Sequence, residues 1–211
     1  MLQDKTAIAK LLLEIGAVTL QPTKPFTWAS GIKSPIYTDN RLIMSYPAAR
    51  KQVTKALAAH ILKHFPTVQV IAGTATAGIP HAAWVAATLD LPMIYVRSQA
   101  KDHGKKEQIE GCLAADTRVV VLDDLVSTGA SVLKAVRAVQ QKQAEVLGVV
   151  SIFTYELAVS LSQFNAAQIP FHALTDYTSL IDTATQLGDI DQTQKQQLQQ
   201  WCADPEHWQF D

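Results

Sequence analysis

Two adjacent carboxylates, Asp123 and Asp124, stand at the end of the apolar run "RVVVL", and the turn after them gathers Ser127, Thr128 and Ser131 around Gly129. A helical pattern, "VLKAVRAVQ", follows at once. Where a strand passes into a helix in this way, free backbone N–H groups and hydroxyls from Ser127 through Thr128, Gly129 and Ala130 to Ser131 can surround a phosphate. The helix dipole contributes only about 0.3–1 kcal/mol to holding an anion, against roughly 1.5–3 kcal/mol for each hydrogen bond to a charged group, so several donors must do the holding. Gly129 lets the backbone come close. No lysine lies within the turn, and neither G-x-x-x-x-G-K-[ST] nor G-x-G-x-x-G is present, which points to a monophosphate.

Carboxylates beside a phosphate repel the ligand unless they accept hydrogen bonds from a diol or face a cation. A ribose 5-phosphate meets both demands, with its phosphate at one end and vicinal hydroxyls at the other. The plainer alternative makes Asp123 and Asp124 a solvated strand end and the hydroxyls a helix cap. Either half alone favours that alternative; the contiguous combination does not.

These residues need a scaffold, and the chain alternates in a way that supplies one. "VQVIAG" runs into the small-residue loop "GTATAG" and then "IPHAAWVAATL"; "PMIYVR" runs into a polar loop; "RVVVLDD" runs into its turn and helix; "AEVLGVVSIFTY" reads as another buried strand. Short apolar runs separated by helical patterns predict an α/β fold with a mostly parallel sheet flanked by helices. Ligands in such sheets sit beyond the carboxyl ends of the strands, so the segments after Ala72, Arg97 and Leu122 should converge.

At 211 residues the chain fits one domain with a full core. Its 18 basic and 19 acidic residues nearly cancel, which argues against nucleic acid or a membrane surface as partner. Cys112 and Cys202 are far apart and lack a metal-ligand spacing, so they read as ordinary thiols of a reducing compartment. The N-terminus is amphipathic at Ile8, Leu11, Leu12 and Ile15, with Asp4 placed to cap it, and lacks the order of a signal peptide. With no apolar run of membrane-spanning length, the expected location is cytoplasmic. The tail from 176 to 211 reads as a capped helix pair with Leu and Trp anchors, and His60, His64, His81 and His172 default to surface or satisfied core positions.

Two further segments carry charge or cover. Between Arg97 and Glu107, "RSQAKDHGKKE" sets Arg97, Lys101, Lys105 and Lys106 against Asp102 and Glu107, at the end of a strand where the ligand should sit. "FTWASGIKSPIYTDNR", residues 26–41, is too polar for core and too irregular for a helix.

"VVVLDDLVSTGAS" resembles the phosphoribosyl diphosphate signature of type I phosphoribosyltransferases. "AKDHGK" with its upstream Arg97 resembles the catalytic loop of the orotate phosphoribosyltransferase family, and residues 26–41 resemble its N-terminal hood. The resemblance covers nearly the whole chain. It implies a type I phosphoribosyltransferase fold with a hood over about 1–45, a core over about 50–175 and the helical tail. It further implies transfer of the 5-phosphoribosyl group from 5-phosphoribosyl 1-diphosphate to orotate, in pyrimidine biosynthesis. Asp123, Asp124, Leu125, Val126 and the 127–131 turn would bind the donor with Arg97, Lys101 and His103. Lys101, His103 and Asp124 would act in catalysis, and Thr74, Ala75 and Thr76 would hold the diphosphate. Mg2+ would be held mainly through substrate and water, and Lys101 would reach the neighbouring site of a homodimer. Where some members have a lysine, a second lysine and an arginine, this chain has Ala29, Ser98 and Tyr155, so Ser127, Lys33 and Tyr37, or hood backbone N–H groups, are the expected orotate contacts. A purine phosphoribosyltransferase and a non-catalytic sensor of phosphoribosyl diphosphate are the alternatives.

Overall fold

The computed structural model describes residues 5–27, 33–99, 108–205, 207 and 208. Lys101, His103, Ala29 and the capping Asp4 lie outside the described residues.

Helix α1 (Lys5–Glu14) leads into β1 (Val18–Leu20), β2 (Phe26–Thr27), β3 (Lys33–Ser34) and β4 (Ile36–Thr38), then a 3-10 helix, Asn40–Ser45, and α2 (Pro47–His64). The alternating body follows: β5 (Val70–Thr74), α3 (Gly78–Leu89), β6 (Met93–Val96), β7 (Ile109–Glu110), β8 (Arg118–Val126), α4 (Ala130–Gln140), β9 (Glu145–Thr154), α5 (Ala158–Ala167) and β10 (Phe171–Asp176). The chain closes with α6 (Tyr177–Leu187) and α7 (Gln192–Ala203).

The main sheet has the order β10-β9-β8-β5-β6-β7. All neighbours are parallel except β7, which runs antiparallel to β6 at the edge. From β5 the chain moves outward to β6 and then returns to the other side of β5 for β8, so the winding direction reverses between β5 and β8. Crevices in open α/β sheets form at such a reversal. Register aligns Gly73 with Leu122, which brings the ends of β5 and β8 side by side there.

The unbroken apolar runs in these strands follow from burial on both faces. Val120, Leu122, Val150 and Ile152 join one core cluster with Ile8, Leu57, Ile61 and Trp201, while Val119, Val121 and Val149 join a second with Val132, Val136 and Val139 of α4. Each such side chain taken fully from water contributes about 1.5–3 kcal/mol. Gly78 is required where α3 meets the sheet: a Cβ there would lie 2.7 Å from the Leu122 carbonyl oxygen.

The hood is two small antiparallel pairings, β1 with β4 and β2 with β3. It is braced by the tail. Leu198 and Trp201 of α7 are fully buried, and Trp201 Nε1 donates to the Lys33 carbonyl at 2.9 Å. The helix pair has the capping its sequence predicts: Asp176 accepts from Ser179 N, and Asp191 forms a capping box with Gln194. No helix among the described residues is long and apolar enough to cross a membrane.

Candidate active site

Asp123 and Asp124 lie past the last pairing of β8 with β5 but still within β8, where Asp123 pairs with Ser151 of β9. Thr74 Oγ1, at the end of β5, donates to Asp123 Oδ1 at 2.6 Å, and the Asp124 amide donates to the same oxygen at 3.0 Å. Burial pushes the Asp123 carboxyl above its ordinary range, with the Thr74 bond pulling the other way. Asp124 is lifted to about 7, first by burial and then by repulsion from Asp123; the Arg41 guanidinium of the hood opposes the lift. Asn40 Nδ2 donates to the Asp124 carbonyl at 2.7 Å and so fastens the hood to the acid pair. Arg41 is itself oriented by Asp39 through bonds of 2.6 and 2.9 Å.

The turn after β8 leads directly into α4. Gly129 is the N-cap of α4, and no side chain caps the helix from that position. The Ala130 amide reaches Thr128 Oγ1 only at 3.4 Å. The first-turn amides of α4 are therefore presented outward, as an anion site requires. Gly129 has φ +85°, so its need for glycine is the left-handed backbone, and a Cβ would also meet the Phe164 ring at 3.0 Å.

A cavity of about 320 Å3 opens between this turn, the loop after β5 and the end of β6, and its walls include Thr74, Ala75, Arg97, Thr128, Ser131 and Lys134. That volume lies in the range of small-molecule sites, about 300–1,000 Å3. The Ala75–Thr76 peptide is cis. Arg97 leans on Glu110 of β7 at 3.4 Å, and its backbone is paired with Gln108. Lys134 is a cation that the turn sequence alone does not reveal. The signal was its spacing from Ala130 and Ser131, i+4 and i+3, which puts it on their face of the helix.

Not every expected residue faces this cavity. Leu125 and Val126 pack into the two cores, and the Val126 carbonyl accepts from Tyr155 N, so their side chains serve the strand. Lys33 Nζ donates to Thr27 Oγ1 at 2.7 Å within the hood hairpin, and Tyr37 stands half exposed beside Phe26. Tyr155, which takes the place of an arginine in the resemblance, is 3% exposed. Its ring packs on Phe153 and Trp201, and its hydroxyl donates to Thr38 Oγ1 at 3.1 Å. Burial lifts that hydroxyl to about 12, so Tyr155 is a neutral tie between β9 and the hood.

Comparison with known proteins bears on this arrangement. Residues 44–163 match the phosphoribosyl transferase domain family. An orotate phosphoribosyltransferase of Enterococcus faecalis is 57% identical over 201 residues, 95% of this chain and 96% of that protein. The chain belongs to the orotate phosphoribosyltransferase family. Its relative from Bacillus caldolyticus, of the same name, is 55% identical over 97% of this chain and 98% of that one. Among solved structures, an orotate phosphoribosyltransferase from Aeropyrum pernix aligns with a TM-score of 0.75 at 25% identity, covering 87% of this chain and 99% of that chain. A UMP synthase from Leishmania donovani aligns with a TM-score of 0.80 at 27% identity over 95% of this chain, which spans 42% of that longer protein.

Proposed function

We propose that this chain transfers the 5-phosphoribosyl group of 5-phosphoribosyl 1-diphosphate to orotate, giving orotidine 5'-phosphate and diphosphate. The observation that carries the reading is the junction of β5 and β8, where an acid pair bound to Thr74 lies beside an uncapped helix N-terminus and a cavity lined by Arg97 and Lys134. Asp123 and Asp124 accept from the ribose hydroxyls. The 127–131 turn and Lys134 hold the 5-phosphate, and Thr74, Ala75, Thr76 and Arg97 hold the diphosphate. Ser127, between the acids and the cradle, meets the base with Lys33 and Tyr37 of the hood.

The bond from the ribosyl carbon to the diphosphate oxygen breaks as the orotate ring nitrogen bonds to that carbon and gives up its proton to the departing diphosphate or solvent, through a state resembling a ribosyl oxocarbenium ion. The acid pair is suited to the positive charge that gathers on the ribosyl ring, and Arg97, Lys101 and His103 to the negative charge on the leaving diphosphate. Position and electrostatics supply most of the catalysis.

The donor set also fits a hard cation. Both carboxyls are lifted by burial, Asp124 also by repulsion from Asp123, and Asn40 Oδ1 is buried with no hydrogen-bond partner among the described residues. These are oxygen acceptors for ribose hydroxyls or for water around Mg2+, which would neutralise charge on the diphosphate when bound. A homodimer, with Lys101 entering the neighbouring site, completes the proposal. Exposed apolar side chains at Leu42, Met44 and Tyr46, close together in sequence, support a covered face there.

The test is a substrate panel: the donor and Mg2+ with orotate, uracil, adenine, hypoxanthine or guanine, measuring nucleotide product directly. Turnover with orotate and little with purines is expected. Efficient purine use without orotate use would overturn the specificity, and donor binding with no turnover on any base would make the protein a sensor.

A further inference from the structure

Three histidines that the sequence leaves unconnected meet in space. His60 and His64 lie one turn apart near the end of α2, and His172 is the second residue of β10, two strands across the sheet from β8. One ring nitrogen from each lies within 4.8 Å of the other two. The ring centroids are 4.3 Å apart for His60 and His64, 4.3 Å for His64 and His172, and 5.2 Å for His60 and His172.

A second observation points to a ligand. His60 Nε2 is buried without a hydrogen-bond partner among the described residues. A buried ring nitrogen left in that state costs free energy unless something binds it.

We propose that His60, His64 and His172 form a binding site for a d-block divalent cation, Zn2+ foremost, which staples the end of α2 to the edge strand β10. Imidazole suits zinc, copper and nickel, whereas Mg2+ and Ca2+ prefer oxygen, so the cation differs in class from the one at the acid pair. Around a tetrahedral Zn2+ with bonds of about 2.0–2.1 Å, ligand nitrogens sit roughly 3.3–3.4 Å apart. The ring nitrogens, within 4.8 Å of one another here, must draw closer to reach that value, and one of the three side chains, His64, is exposed.

The electrostatic surroundings agree. Burial holds His60 down to about 4, helped by His64, His172 and Lys63, and burial and His64 hold His172 below its ordinary value. Both rings are thus neutral, with lone pairs available, at pH 7. Among the described residues no carboxylate joins the cluster. Three imidazoles therefore leave a fourth position for solvent, and the site exchanges its ion more readily than a closed four-ligand structural site does.

The test uses full-length, chelator-treated protein without substrates, titrated with Zn2+ by calorimetry, with Tm read in parallel and Co2+ as a spectroscopic probe. One equivalent per chain is expected, with visible Co2+ bands. Tm should rise by roughly 5–10 °C when free Zn2+ reaches a hundredfold excess over Kd, and the same concentration of Mg2+ should leave Tm unchanged. His64→Ala and His172→Ala should each weaken binding by more than the roughly 10–100-fold that loss of an outer-shell partner costs, while Cys112→Ser and His207→Ala leave it intact. Exposed His64 can be replaced without opening the core, and an unchanged metal-free Tm verifies this. Absence of the Tm rise in the unaltered protein, or Zn2+ binding that survives both histidine substitutions, overturns the proposal.

Discussion

Thr74 Oγ1 donates a 2.6 Å hydrogen bond to Asp123 Oδ1, and this one contact ties the ends of β5 and β8 together where the winding of the sheet reverses. Thr74 is also the first residue of the proposed diphosphate loop, so donor recognition at its two ends is mechanically joined. Thr74→Val keeps the branched shape and deletes the donor. A hydrogen bond to a charged group is worth about 1.5–3 kcal/mol, so kcat/KM for the phosphoribosyl donor should fall roughly ten- to a hundredfold. Thr74→Ser should restore most of it. Steady-state kinetics on the two variants decides the matter, and equal loss in both would assign Thr74 a packing role only.

Asp124 sets a pH dependence whose sign follows from its lifted carboxyl, at about 7. Ionised, Asp124 would offer only acceptor oxygens to the ribose hydroxyls it is proposed to bind, and protonation weakens one of them and adds a competing hydrogen-bond donor. The kcat/KM for the phosphoribosyl donor should therefore decline as pH falls below about 7, approaching tenfold per unit. Asp123→Asn removes the repulsion that helps lift Asp124, and the acid limb should move to lower pH even though the maximum is reduced.

Stability runs the other way. A carboxyl raised in the folded state binds its proton more tightly there than in the unfolded chain, so its stabilising contribution is full below the ordinary Asp value and is lost as pH rises through about 7. Asp124→Asn should therefore melt above the unaltered protein at pH 8, with the difference shrinking toward pH 4. Thermal melts across that range test it.

The legibility of this protein in its sequence varied with the kind of signal. Both-face burial made β5, β6, β8 and β9 readable as apolar runs, and the acid pair with its turn stood out because its chemistry is contiguous. Edge strands β7 and β10 were not read. Ile109–Glu110 is only two residues long, and Phe171–Asp176, at the other edge of the sheet, mixes apolar Phe171, Ala173 and Leu174 with polar residues, its first three positions being only partly buried. Contacts that depend on chain reversal were also hidden. The bonds from Asn40 to Asp124 and from Trp201 to Lys33 span 84 and 168 residues. The meeting of His172 with His60 and His64 is of the same kind.

Lys134 and Lys101 should fail differently. Lys134 lines the cavity beside Ser131 and Thr128, and the 5-phosphate proposed to bind there would keep the same charge throughout the reaction. Lys134→Ala should thus weaken ground-state and transition-state binding alike, raising KM for the donor with kcat little changed. Lys101→Ala should mainly lower kcat, because its cation is needed most as charge gathers on the departing diphosphate. Initial-rate measurements at varied donor separate the two. A KM effect alone for Lys101→Ala would remove its transition-state role.

Subunit sharing is the remaining prediction. If Lys101 serves the neighbour's site while Asp124 serves its own, Lys101→Ala and Asp124→Asn proteins should each be nearly inactive alone. In a heterodimer of the two, one site receives both lesions and the other receives neither, since its acid pair comes from the Lys101→Ala chain and its lysine from the Asp124→Asn chain. Activity should reappear on mixing and re-forming the dimers, approaching half the unaltered value per heterodimer. Differently tagged chains, purified through both tags in turn, establish that heterodimers are present. With that shown, activity that stays at the level of the parents would mean that Lys101 works within its own subunit.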